Sequence, residues 1–139
     1  MCALEAEEAF ATATDGRRIF YRVSGRGPFA LVMPVPWGMD SYVYSKGLSS
    51  LEFYLALVIF DSRGVGRSGP AATEAEFSLE TIATDAACVA DAVGLPRSVV
   101  LGHSGGGAAA ITYALRYPQQ VSHLILVSPA ARWTGPRPL

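Results

Sequence analysis

Ser104 stands in Gly102-His103-Ser104-Gly105-Gly106, a G-x-S-x-G string. Where such a string joins a strand to a helix, the turn is sharp and lifts the serine hydroxyl to the edge of a sheet as a nucleophile for acyl transfer. The hydroxyl is weak at that task until a base takes its proton and a carboxylate orients the base. The chain offers two histidines, His103 and His123, and no Asp or Glu after Ser104, its last carboxylate being Asp91. His103 neighbours Ser104 on the turn, so its side chain is expected to point elsewhere. The structural alternative for the serine is a tight strand–helix turn with Ser as an N-cap.

The elements around Ser104 meet the context that an elbow needs. Ser98–Leu101 reads as a short buried strand, and Gly105–Tyr117 as a helix stopped by Pro118. Gly102 and Gly106 allow strand and helix backbones to approach where a Cβ would clash. Upstream, Phe10–Thr14 and Ile19–Val23 flank Asp15-Gly16, a hairpin signal. Gly25-Arg26-Gly27-Pro28 is a break. Phe29–Met33 is a short apolar run, and after a loop Leu55–Phe60 is a continuous one, as expected of a strand covered on both faces in a parallel sheet. A helix is expected over Leu79–Val93, capped by Ser78 and stopped by Gly94. Val121–Val127 is a further apolar strand. The order is that of an α/β fold: an open, mainly parallel sheet with helices on both faces and an N-terminal antiparallel hairpin, in one domain over 1–139. Four or five residues of strand then place His123 on the order of 15 Å from the elbow, as a half-buried strand-end histidine.

Other chemistries find less support. Gly64-Val65-Gly66-Arg67-Ser68-Gly69 is a literal G-x-G-x-x-G. A dinucleotide site needs that string to open a helix, with an acid about 20 residues on. Here Asp61-Ser62-Arg63 intervenes, Pro70 interrupts, and Asp85 falls within the helix. No Lys follows a glycine loop in the manner of a nucleotide-binding P-loop, and two isolated histidines make no metal cluster. Asp61 reads first as a tie for its loop, through Arg63 or backbone amides, and Arg63 and Arg67 as salt-bridge partners. The net charge of −1 gives no electrostatic case for nucleic acid or an anionic membrane. The acidic N-terminus has no signal-peptide character, and no apolar run reaches the roughly 20 residues of a membrane span. Cys88 reads as a buried thiol within the helix. The default compartment is the cytosol.

Gly102-His103-Ser104-Gly105-Gly106, preceded by Leu95-Pro96-Arg97-Ser98-Val99-Val100-Leu101, resembles the elbow of α/β-hydrolases. Asp61-Ser62-Arg63-Gly64-Val65-Gly66-Arg67-Ser68 resembles the D-x-R-G-x-G-x-S loop after their fourth strand. Arg116-Tyr117-Pro118-Gln119-Gln120-Val121 and Leu124-Ile125-Leu126-Val127-Ser128-Pro129 resemble the stretches around their sixth strand. The Asp61 loop and Trp37-Gly38 look most like the proline iminopeptidase-like branch.

The resemblance implies a serine hydrolase acting on a small ester or amide, with no organic cofactor and no metal. It implies Ser104 as nucleophile and Gly105 N–H as one oxyanion donor. The second donor comes from the loop after the third strand, usually His-Gly-x, where this chain has Met33-Pro34-Val35-Pro36-Trp37-Gly38. Pro36 has no N–H to give, so the donor is Val35 or Trp37, with Trp37 preferred; otherwise Trp37 lines the core or a pocket. The family's acid and histidine follow the serine, on further strands and a cap beyond the point where this chain stops. Gly135-Pro136-Arg137-Pro138-Leu139 does not look like a terminal strand. The last strand is then an unpaired apolar edge, open to a second copy or a partner chain. The expected outcome is a poorly active hydrolase; the alternative is a non-catalytic ligand-binding or interaction remnant of the fold.

Overall fold

The Asp15-Gly16 turn joins two antiparallel strands, β1 (Glu7–Thr12) and β2 (Arg18–Gly25), in a register that sets Phe10 opposite Phe20. In the computed structural model, which describes residues 6–36, 38–95 and 97–130, four more strands follow: β3 (Phe29–Val32), β4 (Ala56–Phe60), β5 (Ser98–His103) and β6 (Val121–Val127). The sheet order is β1-β2-β4-β3-β5-β6. β2 pairs antiparallel with β4, and β4, β3, β5 and β6 run parallel. The expected architecture is therefore the observed one: a mainly parallel sheet with an antiparallel hairpin along one edge.

Both faces of the sheet centre are covered. Helices α2 (Leu79–Val93) and α3 (Gly105–Arg116) share one face. There Ile82, Ala86, Val89, Ala109 and Tyr113 pack on Leu31, Val58, Phe60 and Val100. On the other face Tyr44 packs with Ala30, Val32, Leu57, Ile59 and Leu101. Alternation along β3, β4 and β5 sends successive side chains to opposite faces, so their runs are apolar without interruption. α2 has the bounds expected from its repeat. The Ser78 hydroxyl accepts from Thr81 N–H at 3.2 Å, and Gly94 takes a left-handed conformation at its end.

Two features depart from the sequence reading. The loop expected between β3 and β4 contains a helix, α1 (Ser41–Gly47), and a 3-10 turn at Ser49–Phe53. Asp40 caps α1 through Tyr42 N–H at 3.1 Å. With only Ser41, Tyr44 and Ser45 buried, its seven residues are too few to display a repeating apolar stripe. The second departure is His123, expected half-buried and found exposed. β6 has no strand on its far side among the described residues, and the cluster around Tyr44 reaches only as far as Leu101 on β5.

Candidate active site

β5 ends at His103 and α3 begins at Gly105, so Ser104 alone makes the turn. Its backbone has φ 52° and ψ −123°, one of two non-glycine residues with positive φ among those described. Such a conformation costs about 1–3 kcal/mol and persists only where its surroundings over-determine it. Three backbone hydrogen bonds do so. Ser104 N–H donates to Val127 O at 3.1 Å, and Ser104 O accepts from Gly107 N–H at 3.0 Å and from Ala130 N–H at 2.8 Å. The side chain caps nothing and the residue is exposed. The plain N-cap role therefore fails, and among the described residues nothing bonds the hydroxyl at the carboxyl edge of the parallel strands.

Close packing explains the glycines on either side. A Cβ on Gly102 would lie 2.7 Å from Gly106 O and 2.8 Å from Gly107 Cα. One on Gly106 would lie 2.7 Å from Met33 O and 3.2 Å from Pro34 O. The chain leaving β3 is thus pressed against the first turn of α3. That turn carries the Gly105 and Gly106 amides, which no intrahelical carbonyl can take and which suit developing negative charge. Val35, in the same stretch, is buried. Trp37 lies outside the described residues, as does the Gly135–Leu139 segment.

Neither histidine is brought to Ser104 as a base. The His103 ring sits edge-on to Tyr44 of α1, with centroids 6.3 Å apart at 85°. His123 pairs with Val99, five residues before Ser104, about 16 Å away along the strand by its rise per residue.

Asp61 is a tie point. It is 2% exposed, and its carboxylate accepts from Ser41 N–H at 2.6 Å and from Arg67 N–H at 2.9 Å. Its carbonyl accepts from the Ser68 hydroxyl at 2.6 Å, and that hydroxyl oxygen accepts from Phe20 N–H at 2.9 Å. Gly66 permits this: a Cβ there would lie 2.6 Å from the Asp61 carboxyl carbon. One carboxylate thus binds the start of α1 to the glycine loop after β4, and its partners are backbone amides, not Arg63. A polar cavity of about 310 Å³ opens here, lined by Arg22, Asp40, Ser41, Asp61 and Arg67 among others; Ser104 does not line it.

The two loop arginines do make ion pairs. Arg63 grips Asp85 with both forks, Nε to Oδ2 at 2.8 Å and Nη2 to Oδ1 at 2.6 Å, and reaches Asp15 at 2.8 Å and Glu76 at 3.4 Å. Arg17 also pairs with Glu76. Arg63 holds the Asp15 carboxyl below its ordinary value, and the Asp85 carboxylate raises the guanidinium in turn. Arg67 pairs with Glu8 through two bonds of 2.9 and 3.0 Å and stacks over Phe20. The role of Asp85 was readable from one signal: a carboxylate at helical spacing between Ile82, Ala86 and Val89 sits on the buried stripe and needs a partner. Cys88 is half-buried, and burial pushes its thiol up. Among the described residues no group of His, Cys, Asp or Glu is arranged to hold a metal ion, and no helix is long and apolar enough to cross a membrane.

Comparison with known proteins agrees with this geometry. A family model described as alpha/beta hydrolase fold matches residues 31–138. A Caulobacter segnis protein named for carbamate hydrolysis, RutD, is 37% identical over 123 residues, covering 86% of this chain and 45% of that protein. The esterase of Exiguobacterium antarcticum superposes with a TM-score of 0.80 at 29% identity, over 90% of this chain and 46% of its own. The proline iminopeptidase-related protein TTHA1809 of Thermus thermophilus superposes with a TM-score of 0.80 at 27% identity, over 91% of this chain and 45% of its own. The chain spans less than half the length of each of these relatives. Its strand order, its strained serine turn and the family match agree: the chain belongs to the alpha/beta hydrolase fold family.

Proposed function

We propose that this single domain is the nucleophile-bearing part of a cytosolic serine hydrolase acting on a small ester or amide. The observation that carries the reading is Ser104, held at φ 52° between β5 and α3 with a side chain that caps nothing and is exposed. In this reading Ser104 Oγ attacks the carbonyl carbon as its proton passes to a base. The Gly105 N–H and an N–H of the loop after β3, assigned to Trp37, hold the oxyanion. The leaving group departs with that proton, and water then releases the acyl group. The chemistry uses no metal and no organic cofactor.

The base and its orienting carboxylate come from outside the described residues, since His103 faces Tyr44 and His123 lies far down β6. The isolated chain therefore reacts slowly. A fluorophosphonate probe is expected to label Ser104 slowly, without steady turnover of an activated ester. Fast stoichiometric labelling with sustained turnover would contradict the missing base. The same geometry favours a second reading, a non-catalytic remnant of the fold. Complete absence of labelling in folded protein, with Ser104→Ala indistinguishable from the parent, would select it.

A further inference from the structure

We infer that the polar cavity beside α1 is a binding site for a small zwitterion, with Arg22 holding its carboxylate and Asp40 its ammonium group. The inference is independent of catalysis by Ser104, which does not line the cavity.

The cavity lies at the hairpin end of the sheet, away from β6. Asp61 and Ser41 are its buried lining, and Glu8, Asp40 and Arg67 are exposed members of it. Arg22 reaches it from β2. It stands opposite Glu8 on β1 and Ile59 on β4, and so projects on the face that carries α1. At about 310 Å³ the cavity is at the small end of ligand sites.

Arg22 is a cation without a counter-charge. It is half-buried, and its Nε is sealed from solvent with no hydrogen-bond partner. Glu8, directly across the strand pair, gives both carboxylate oxygens to Arg67 instead. Among the described residues Arg22 forms no ion pair. A guanidinium does not shed its proton, and a buried charge left unpaired is costly. With Nε sealed, the charge has to be met through the rest of the guanidinium, whose planar fork suits a carboxylate.

The remaining charges select the other half of the ligand. Asp61 is met by backbone amides alone, Ser41 N–H on Oδ1 and Arg67 N–H on Oδ2. Asp40 accepts a bond on Oδ1 from Tyr42 N–H, which leaves Oδ2 available. The two carboxyl side chains adjoin, since a Cβ on Gly66 would lie 2.6 Å from the Asp61 carboxyl carbon and 3.0 Å from Asp40 Cβ. Glu8 and Arg67 neutralise each other, so one guanidinium faces two carboxylates. That balance disfavours a dianion such as phosphate. It suits a molecule of no net charge whose carboxylate meets Arg22 and whose ammonium meets Asp40. A free amino acid carries both groups on one short backbone, and so does a dipeptide.

The test follows amide chemical shifts of the isotope-labelled chain by NMR, with glycine, L-serine and glycylglycine as probes. The Ser41 and Arg67 amides, bonded to Asp61 at the cavity, are the reporters. At least one probe is expected to shift them to saturation with a midpoint of ~1 mM, within reach of so few ligand atoms. N-acetylglycine, which lacks the ammonium, and glycinamide, which lacks the carboxylate, are each expected to bind about tenfold or more weakly. Arg22→Met and Asp40→Asn are expected to weaken binding as much, and asparagine keeps the cap on α1. Tighter binding of glycine or serine assigns the site to free amino acids, and tighter binding of glycylglycine to the ends of short peptides. Folded protein that none of the three probes saturates at tens of millimolar overturns the proposal. So does saturation that either variant leaves unchanged. N-acetylglycine or inorganic phosphate binding as tightly as the best probe also overturns it, showing a plain anion site. If Arg22→Met fails to fold by circular dichroism, Asp40→Asn and the two singly charged probes decide.

Discussion

Asp85→Asn is expected to lower the stability of the chain by about 3–5 kcal/mol, the cost of breaking a buried ion pair by removing one partner. The Arg63 and Asp85 side chains are only 6% and 2% exposed. Asparagine keeps the shape but leaves the guanidinium without its counter-charge and sets an amide donor against it. On a domain of this size, roughly 2–8 °C of melting temperature per kcal/mol makes the change plain in a thermal scan. Arg63→Met is expected to cost as much, because it strands the carboxylate instead. The double variant Arg63→Met/Asp85→Leu is expected to recover most of the loss, since an apolar pair of similar volume removes both desolvation penalties. A double variant as unstable as the sum of its parts would show that Arg63 acts chiefly through other partners. Asp15 contributes on the acid side. Its folded pKa is depressed below 3.8, chiefly by its hydrogen bond to Arg63. That contribution is therefore present above pH 3.8 and lost as the pH falls through the lower folded value.

Ser104→Gly is expected to do two opposite things: abolish fluorophosphonate labelling and raise stability. The side chain at φ 52° is held against its preference. Glycine adopts positive φ freely, so relief of strain returns up to about 1–3 kcal/mol, less the greater chain entropy of glycine in the unfolded state. Ser104→Ala separates the effects, losing the hydroxyl while keeping the Cβ and the strain. Thermal melts of the parent and both variants provide the measurement. Equal melting temperatures for Gly and Ala would show that the turn stores no strain energy at this position.

Local signals made much of this fold legible. Ser78 and Gly94 bound α2, and the spacing of Ile82, Ala86 and Val89 supplies its buried face. The uninterrupted apolar run at 124–127 marks β6, and the glycines around Ser104 mark a junction that tolerates no Cβ. Non-local geometry was hidden. The bond between Arg63 and Asp85 joins residues 22 positions apart, and it exists only because α2 folds back across the sheet beside the exit of β4. Asp61 could be read as a tie but not assigned its partners, because the amides of Ser41 and Arg67 converge only once α1 is in place. α1 itself escaped because a seven-residue helix with three buried residues leaves little periodicity.

The cover over the sheet thins from its centre toward β6, and this sets an order of opening. Backbone amides of β3 and β4 lie between two layers of side chains and can exchange with solvent only when the whole domain unfolds. Among the described residues β6 is bonded on one side only, by β5, and its residues from His123 onward are exposed. In this chain alone, with β6 unpaired on its far side, native-state hydrogen exchange should therefore advance inward from β6. Ser104 N–H is bonded to Val127 O, the last residue of that strand, so the strained serine turn loosens with the least protected strand while the sheet centre stays closed.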